Sequence, residues 1–575
     1  MIKLIHFLKP YKKVLMLVFV FIFIQALGTL YIPTLTAFIV NDGVAKGDIN
    51  YIIKMGLIML ITAGITGVVT VLGAWLSSNV SSGFAKDIRE AMFIKAQELS
   101  LNDFNKVGTA SMITRTTNDI TLIGQTVLMF IQMLLPAPIM AIGGLILAFS
   151  KDKVIALIIV GTMVAFILVA IFLGKKAIPM FMTMQSKMDN INGKLRERII
   201  GVRVIRAFNR EKSEKRRIDS AATDYANNAI KINKVIAILI PIVMMIMNLG
   251  VILILWIGGI RVLNGNMHIG DIMAMAEYCF LILYFLMMGA MMFMYIPRAQ
   301  ACAQRINEVL EINPEILDGK VKTAESTEYA HVKFKNVTFQ YHDAEEAVLS
   351  NLSFEAKSGE VTAIIGGTGS GKSTIANLIP RFYDIQSGSI MVDGIDIKTM
   401  SQKELRDKIG LVPQKAFLFS GTIVDNIRFG KKTATDKDIE HAAKVAQAHD
   451  FITSLEGGYN FHVAQGGNNL SGGQKQRLSI ARALIRKPEI YIFDDSFSAL
   501  DFKTDLKLRK ALKSEVGSSS IIIVAQRIST IMDAHRIIVL EDGKIAGVGS
   551  HEELMKNCDV YRQIAASQLS EAELA

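Results

Sequence analysis

A chain of 575 residues exceeds what one hydrophobic core can organise and divides into two or three domains. Hydrophobic residues make up 51% of it, which is unusual for a soluble protein, and much of the net charge of +11 sits beside apolar stretches, where it reads as attraction to anionic lipid and as topology setting and not as a patch for nucleic acid, which is excluded as a partner. Three cysteines, Cys279, Cys302 and Cys558, lack metal-ligand spacing and are too few for a disulfide framework, so they read as reduced thiols.

The apolar residues crowd into the first 300 positions. The opening MIKLIHFLKPYKK reads as an amphipathic segment on a membrane surface, because the apolar run behind it is too long for a cleavable signal. Six stretches suffice to cross about 30 Å of hydrocarbon, which takes about 20 helical residues. They are Val14 to Val40, Tyr51 to Ser78, Leu122 to Phe149, Val154 to Gly174, Val235 to Gly258 and Ile272 to Pro297. Short connections follow the first, third and fifth; long polar ones, Asn79 to Thr121 and Lys175 to Lys234, follow the second and fourth. Lys3, Lys9, Lys12 and Lys13 precede the first span, so the positive-inside rule places both termini and both long loops in the cytoplasm of a cell membrane. Loops this long extend the spans as helices, with short transverse helices expected around Asn105 to Thr117 and Arg206 to Arg216.

Within the spans, Glu277 is the main ionisable residue, and a carboxylate there serves a pathway, a hydrogen bond or a wet cavity wall. Methionines cluster at Met244, Met245 and Met247 and again at Met287, Met288, Met291 and Met292, which suits either a pocket accepting many shapes or lipid-facing filler. Trp256 reads as an interfacial anchor, and Pro33, Pro136, Pro138 and Pro241 as kinks.

After a mixed-charge linker the pattern from Val332 changes to strands alternating with helices, which indicates an α/β domain. The apolar run from Val361 to Ile365 leads into GGTGSGKST, Gly366, Gly367, Thr368, Gly369, Ser370, Gly371, Lys372, Ser373 and Thr374. A strand, a glycine loop and a helix start in that order cradle phosphate with backbone N–H groups; Lys372 reaches the β- and γ-phosphates, and Ser373 offers a hydroxyl to Mg2+. ATP and Mg2+ are therefore the expected ligands. Upstream, Tyr341 either stacks on adenine or fills the core. Downstream, Gln414 ends a strand, where it would touch Mg2+ and sense the γ-phosphate. Ser471, Gly472, Gly473 and Gln474, after Leu470, open a second helix with an anion-binding terminus. The strand from Ile490 ends in Asp494, the expected Mg2+ carboxylate, and Asp495, with SALD closing on Asp501 shortly after.

These motifs together resemble the half-transporters of the ABC exporter superfamily over the full length. The resemblance implies an all-α six-helix transmembrane domain (1–305, type I exporter fold), a linker (306–330) and an α/β P-loop ATP-binding cassette domain (331–575). It also implies that two such ATPase domains meet head to tail, each ATP lying between one chain's glycine loop and the other's LSGGQ, with Asp501 in the intervening loop. Three positions depart from the family pattern: Asp495 replaces a Glu, Gln526 in VAQRIST replaces a His, and Gln465 replaces a Glu upstream of the signature. Asp495 and Gln526 are the catalytic candidates, both atypical. The expectation is a subunit resembling the degenerate-site half of bacterial heterodimeric multidrug exporters, moving amphipathic small molecules across the bilayer beside a competent partner. A lipid or peptide exporter half, or a nucleotide-gated subunit that does not pump, are the alternatives.

Overall fold

The computed structural model describes residues 2–292, 295–319, 329–342 and 344–568. The chain forms two units, one of Met1–Gln97 with Val107–Ile312 and the other of Glu98–Lys106 with Asn313–Ala575. The expected linker falls partly on 320–328, outside the described residues, and its start is helical, since the helix Ile296–Leu310 runs through it.

Among the described residues of the first unit, six helices are long and apolar enough to cross a membrane: Lys3–Val44, Ile49–Glu98, Thr109–Lys151, Lys153–Lys176, Glu211–Leu263 and Ile269–Leu310. Five of the predicted spans lie wholly within them; the sixth, ending at Pro297, crosses 293–294, outside the described residues. The helix Ile49–Glu98 has 50 residues, about 75 Å at 1.5 Å per residue, more than twice what hydrocarbon requires. Helices Lys153–Ile200 and Glu211–Leu263 are similar, so the long connections are continuations of the spans.

The expected transverse segments are displaced. The short helices are Leu101–Val107 and Val202–Ala207, whereas Thr109 already begins the third long helix and Glu211 the fifth. Each short helix is stopped on its far side by a left-handed residue, Gly108 at φ +79° and Asn209 at φ +51°. Pro33 and Pro241 lie inside helices, while Pro136 starts one directly after a widened turn at Phe130–Leu134 that accommodates its missing N–H. At one end, Asp152 caps the helix from Lys153, accepting from Val154 N at 2.8 Å and Ile155 N at 3.0 Å. Its other oxygen accepts from Arg261 Nε at 2.6 Å, tying the short third connection to the end of the fifth helix. Cys279, Cys302 and Cys558 are buried and free.

The second unit carries strands β1 (Val332–Phe339), β2 (Leu349–Ala356), β3 (Val361–Gly366), β4 (Ser387–Val392), β5 (Ile395–Asp396) and β6 (Ile409–Val412). These are followed by β7 (Gly421–Thr422), β8 (His462–Val463), β9 (Ile490–Asp494), β10 (Ser520–Val524), β11 (Arg536–Glu541) and β12 (Lys544–Gly549). The larger sheet has the order β12-β11-β3-β10-β9-β6, parallel from β11 to β6, with β12 antiparallel at its edge. A smaller antiparallel sheet has the order β2-β1-β4-β5.

Alternation along the parallel strands builds two cores. Ala363, Ile365, Tyr491, Phe493, Ile521 and Ile523 face one, where the helix Gly472–Leu484 contributes Leu478 and Ile480. Ile364, Ile490, Ile492, Ile522 and Val524 face the other, filled by the smaller sheet and by Ile375, Ala376 and Leu378 of the helix Lys372–Leu378. Burial on both faces explains why these strands read as continuous apolar runs. The segments leaving β3, β10, β9 and β6 consequently emerge side by side at one edge, with strand spacings of about 4.8 Å.

Candidate active site

The phosphate loop leaves β3 at Gly366 and enters the helix Lys372–Leu378. Gly369 and Gly371 have φ +85° and +92°. A Cβ on Gly371 would lie 2.4 Å from Leu349 Cδ2, so both torsion and space exclude a side chain there. Gly367, Thr368 and Gly369 are exposed, while Ser370, Gly371, Lys372 and Thr374 are buried. Lys372 Nζ donates to Gly366 O at 2.9 Å and Gly367 O at 2.6 Å, holding the ammonium against the loop's own carbonyls. Burial pushes its pKa down, opposed by Asp495 and Asp494.

Ser373 Oγ donates to Asp494 Oδ1 at 2.9 Å. The two groups expected at Mg2+ thus share one space, and a hydroxyl with a carboxylate is the hard oxygen set Mg2+ takes. Burial raises the Asp494 pKa, the like charge of Asp495 adds to this, and Ser373 and Lys372 oppose it. Tyr341 is half-buried, edge-on to Phe339 and Tyr383 with centroids at 4.8 and 5.3 Å, and its hydroxyl meets Thr374 Oγ1 at 3.1 Å.

Asp495 follows β9 with φ +45°, a strained conformation for a non-glycine residue, and its N–H donates to Val524 O at 2.9 Å. One oxygen, Oδ2, accepts from Gln414 Nε2, just after β6, and from Gln526 Nε2, just after β10, each at 3.1 Å. Three motif residues far apart in sequence therefore meet on one atom, flanked by two neutral amides. Sequence reasoning selected each residue and missed the pairing, because only the β10-β9-β6 order makes them neighbours.

Ser471 caps the helix Gly472–Leu484, its hydroxyl accepting from Gln474 N at 3.3 Å while its own N–H donates to Gln474 Oε1 at 2.9 Å. Gln476 Nε2 donates to Pro413 O at 3.2 Å, linking that helix to the segment before Gln414. Among the described residues no hydrogen bond joins 471–474 to 366–374. Asp501 caps the helix Phe502–Glu515, its carboxylate accepting from Thr504 N at 3.0 Å. In the first unit, Met273, Glu277, Phe280 and Tyr284 form one exposed stripe at helical spacing on Ile269–Met292. Glu277 makes no hydrogen bond or ion pair among the described residues, while Phe280 and Tyr284 stack at 6.3 Å. Met244 and Met245 are exposed, whereas Met247, Met287, Met288 and Met291 are half-buried and Met292 is buried.

Six spanning-length helices joined to a parallel-sheet unit with a phosphate loop, a metal-type carboxylate and a second capped helix define an ATP-driven exporter half, and the chain belongs to the ABC transporter family. Residues 15–294 match the ABC transporter transmembrane region and residues 349–498 the ABC transporter domain. An uncharacterised ABC transporter ATP-binding protein of Mycobacterium tuberculosis H37Rv is 38% identical over 98% of this chain and 97% of its own length. The ATP-dependent lipid A-core flippase of Desulfotalea psychrophila is 32% identical over 96% of both. A solved bacterial Atm1-family ABC exporter with ATP bound superposes with a TM-score of 0.81 at 26% identity, covering 98% of this chain and 99% of that one.

Proposed function

We propose that this chain is the degenerate-site half of a heterodimeric exporter that moves amphipathic small molecules out of the cytoplasm. The observation that carries this reading is the pair of amide donors on Asp495: its Oδ2 accepts from Gln414 and Gln526 at 3.1 Å each, with no titratable donor in the set. A carboxylate polarising a water must reach it, and one methylene less than Glu withdraws it by about an ångström, enough to cost on the order of a hundredfold in rate. Glutamine at 526 donates or accepts but cannot become cationic. Both changes weaken hydrolysis while leaving Gly366–Thr374 intact.

In this reading the phosphate loop and Lys372 hold the triphosphate, Tyr341 packs by the adenine, and Gln526 touches the γ-phosphate. Ser373, Asp494 and Gln414 hold Mg2+, which supplies charge neutralisation on the β- and γ-phosphates. Ser471 to Gln474 and Asp501 complete the site of the partner chain, a half-transporter carrying Glu and His. The division into a transmembrane domain at 1–305, a linker and an ATPase domain from 331, with both termini cytoplasmic, belongs to the same proposal. ATP binding closes the paired ATPase domains and favours the outward-open spans; hydrolysis at the partner's site resets them. The stripe of Glu277, Phe280 and Tyr284 supports an amphipathic, cationic substrate, because a carboxylate within a span is costly against lipid and suits a wet pathway. A lipid substrate is the second reading, favoured by the 32% identity to a lipid A-core flippase.

In the assembled pair, Asp495→Asn is expected to retain more than half of the ATP turnover, measured as phosphate release. Loss of turnover would contradict the degenerate-site assignment. ATP-dependent uptake into inverted vesicles separates a pump from a nucleotide-gated regulator.

A further inference from the structure

The segment that follows β10 carries Gln526 toward Asp495, yet its own backbone is not held by the sheet alone. Two of its polar groups, the carbonyl of Gln526 and the N–H of Ile528, face the same side chain. Gln568 Nε2 donates to Gln526 O at 2.8 Å, and Gln568 Oε1 accepts from Ile528 N at 2.9 Å. One primary amide thus bridges both sides of Arg527, satisfying a donor and an acceptor that ladder pairing would otherwise supply.

Gln568 stands just beyond the helix Asp559–Ala566, with its N–H bonded to Ala565 O at 3.0 Å. That helix is anchored by buried Tyr561 and Ala565, and the Tyr561 hydroxyl lies 2.7 Å from His551 Nδ1. Its other side forms a wall of a cavity of about 360 Å³, where Gln563, Ile564 and Ser567 face Gly367, Thr368 and Ser370 of the phosphate loop. A single anchored helix therefore borders the loop that grips phosphate and, through Gln568, holds the segment bearing Gln526.

We propose that Gln568 is a positioning residue for Gln526: it fixes the 526–528 backbone so that the Gln526 amide reaches Asp495 and the γ-phosphate position. The inference rests on the γ-phosphate role of Gln526 given above, and it concerns nucleotide retention, which does not depend on whether this site hydrolyses. Gln568→Met preserves length and removes both hydrogen bonds. Gln568→Glu keeps the acceptor for Ile528 N–H but sets a carboxylate oxygen against the Gln526 carbonyl.

The test uses the full-length chain in its assembled complex, radiolabelled photoreactive ATP and ADP with Mg2+, and separation of the two chains by size after crosslinking. Gln526→Ala should erase the slower release of ATP relative to ADP from this chain. Gln568→Met and Gln568→Glu should each speed ATP release roughly threefold, the scale of a lost hydrogen bond, with ADP release unmoved. Combined with Gln526→Ala, Gln568→Met should add nothing further, because it acts through the residue already removed. Unchanged ATP release in both Gln568 variants, an equal change for ADP, or a full additive effect in the double variant would overturn the proposal. Failure of Gln526→Ala to alter ATP release would remove the γ-phosphate reading itself, and this inference with it.

Discussion

Ser471→Arg lowers steady-state ATP turnover of the assembled pair by roughly a hundredfold, the scale of losing a preorganised donor at a reacting phosphate. Ser471 makes no hydrogen bond to its own phosphate loop; in the proposed pair its effect is exerted on the partner's nucleotide. Its hydroxyl and the Gln474 side chain form a reciprocal cap that leaves the first N–H groups of a 13-residue helix aimed outward. Nothing lies within 4 Å of a Cβ on Gly472, so that terminus is open to an anion from a second chain. Arginine removes the cap and fills the space. Phosphate release by the purified pair checks this, and a variant keeping half its turnover would show that the signature completes no working site. The contrast with Asp495→Asn, which spares most activity, is the sharpest asymmetry the account makes.

The second large effect is at Lys372. Lys372→Ala weakens ATP binding to this chain's own loop by roughly a hundredfold, since two charge-assisted hydrogen bonds are lost together. The ammonium is already preorganised: it sits buried against Gly366 O and Gly367 O, so phosphate oxygens replace carbonyls without a search through rotamers. If, as proposed, an ATP held here keeps paired ATPase domains closed, turnover at the partner's site falls as well. Equilibrium binding of a fluorescent ATP analogue, with crosslinking to assign the chain, measures the first effect. Unchanged affinity would remove Lys372 from the phosphate site.

Much of this architecture is legible along the chain because its signals are local. Twenty-residue apolar runs mark the membrane helices, and Gly366 to Thr374 declares both a turn and its ligand. The resemblance to ABC exporters supplies what local signals do not, namely the expected meeting of two chains. Where the reading fails, the cause is non-local or stereochemical. The short helices stop earlier than expected, because Gly108 and Asn209, single left-handed residues within the stretches where a break is expected, end them. The joint hold of Gln414 and Gln526 on Asp495 depends on strand order, and nothing near Gln568 in sequence announces that it reaches back to Gln526 and Ile528. Tyr341 was legible as an aromatic before the loop, but its hydrogen bond to Thr374 emerges only from the packing of β1 against the helix from Lys372.

The most direct measurement is the chemical state of the nucleotide on each chain during turnover. Rapid mixing of the assembled pair with α-labelled photoreactive ATP, followed by crosslinking within one cycle, should give intact ATP on this chain and ADP on its partner. Equal conversion to ADP on both chains would contradict the division of labour between them.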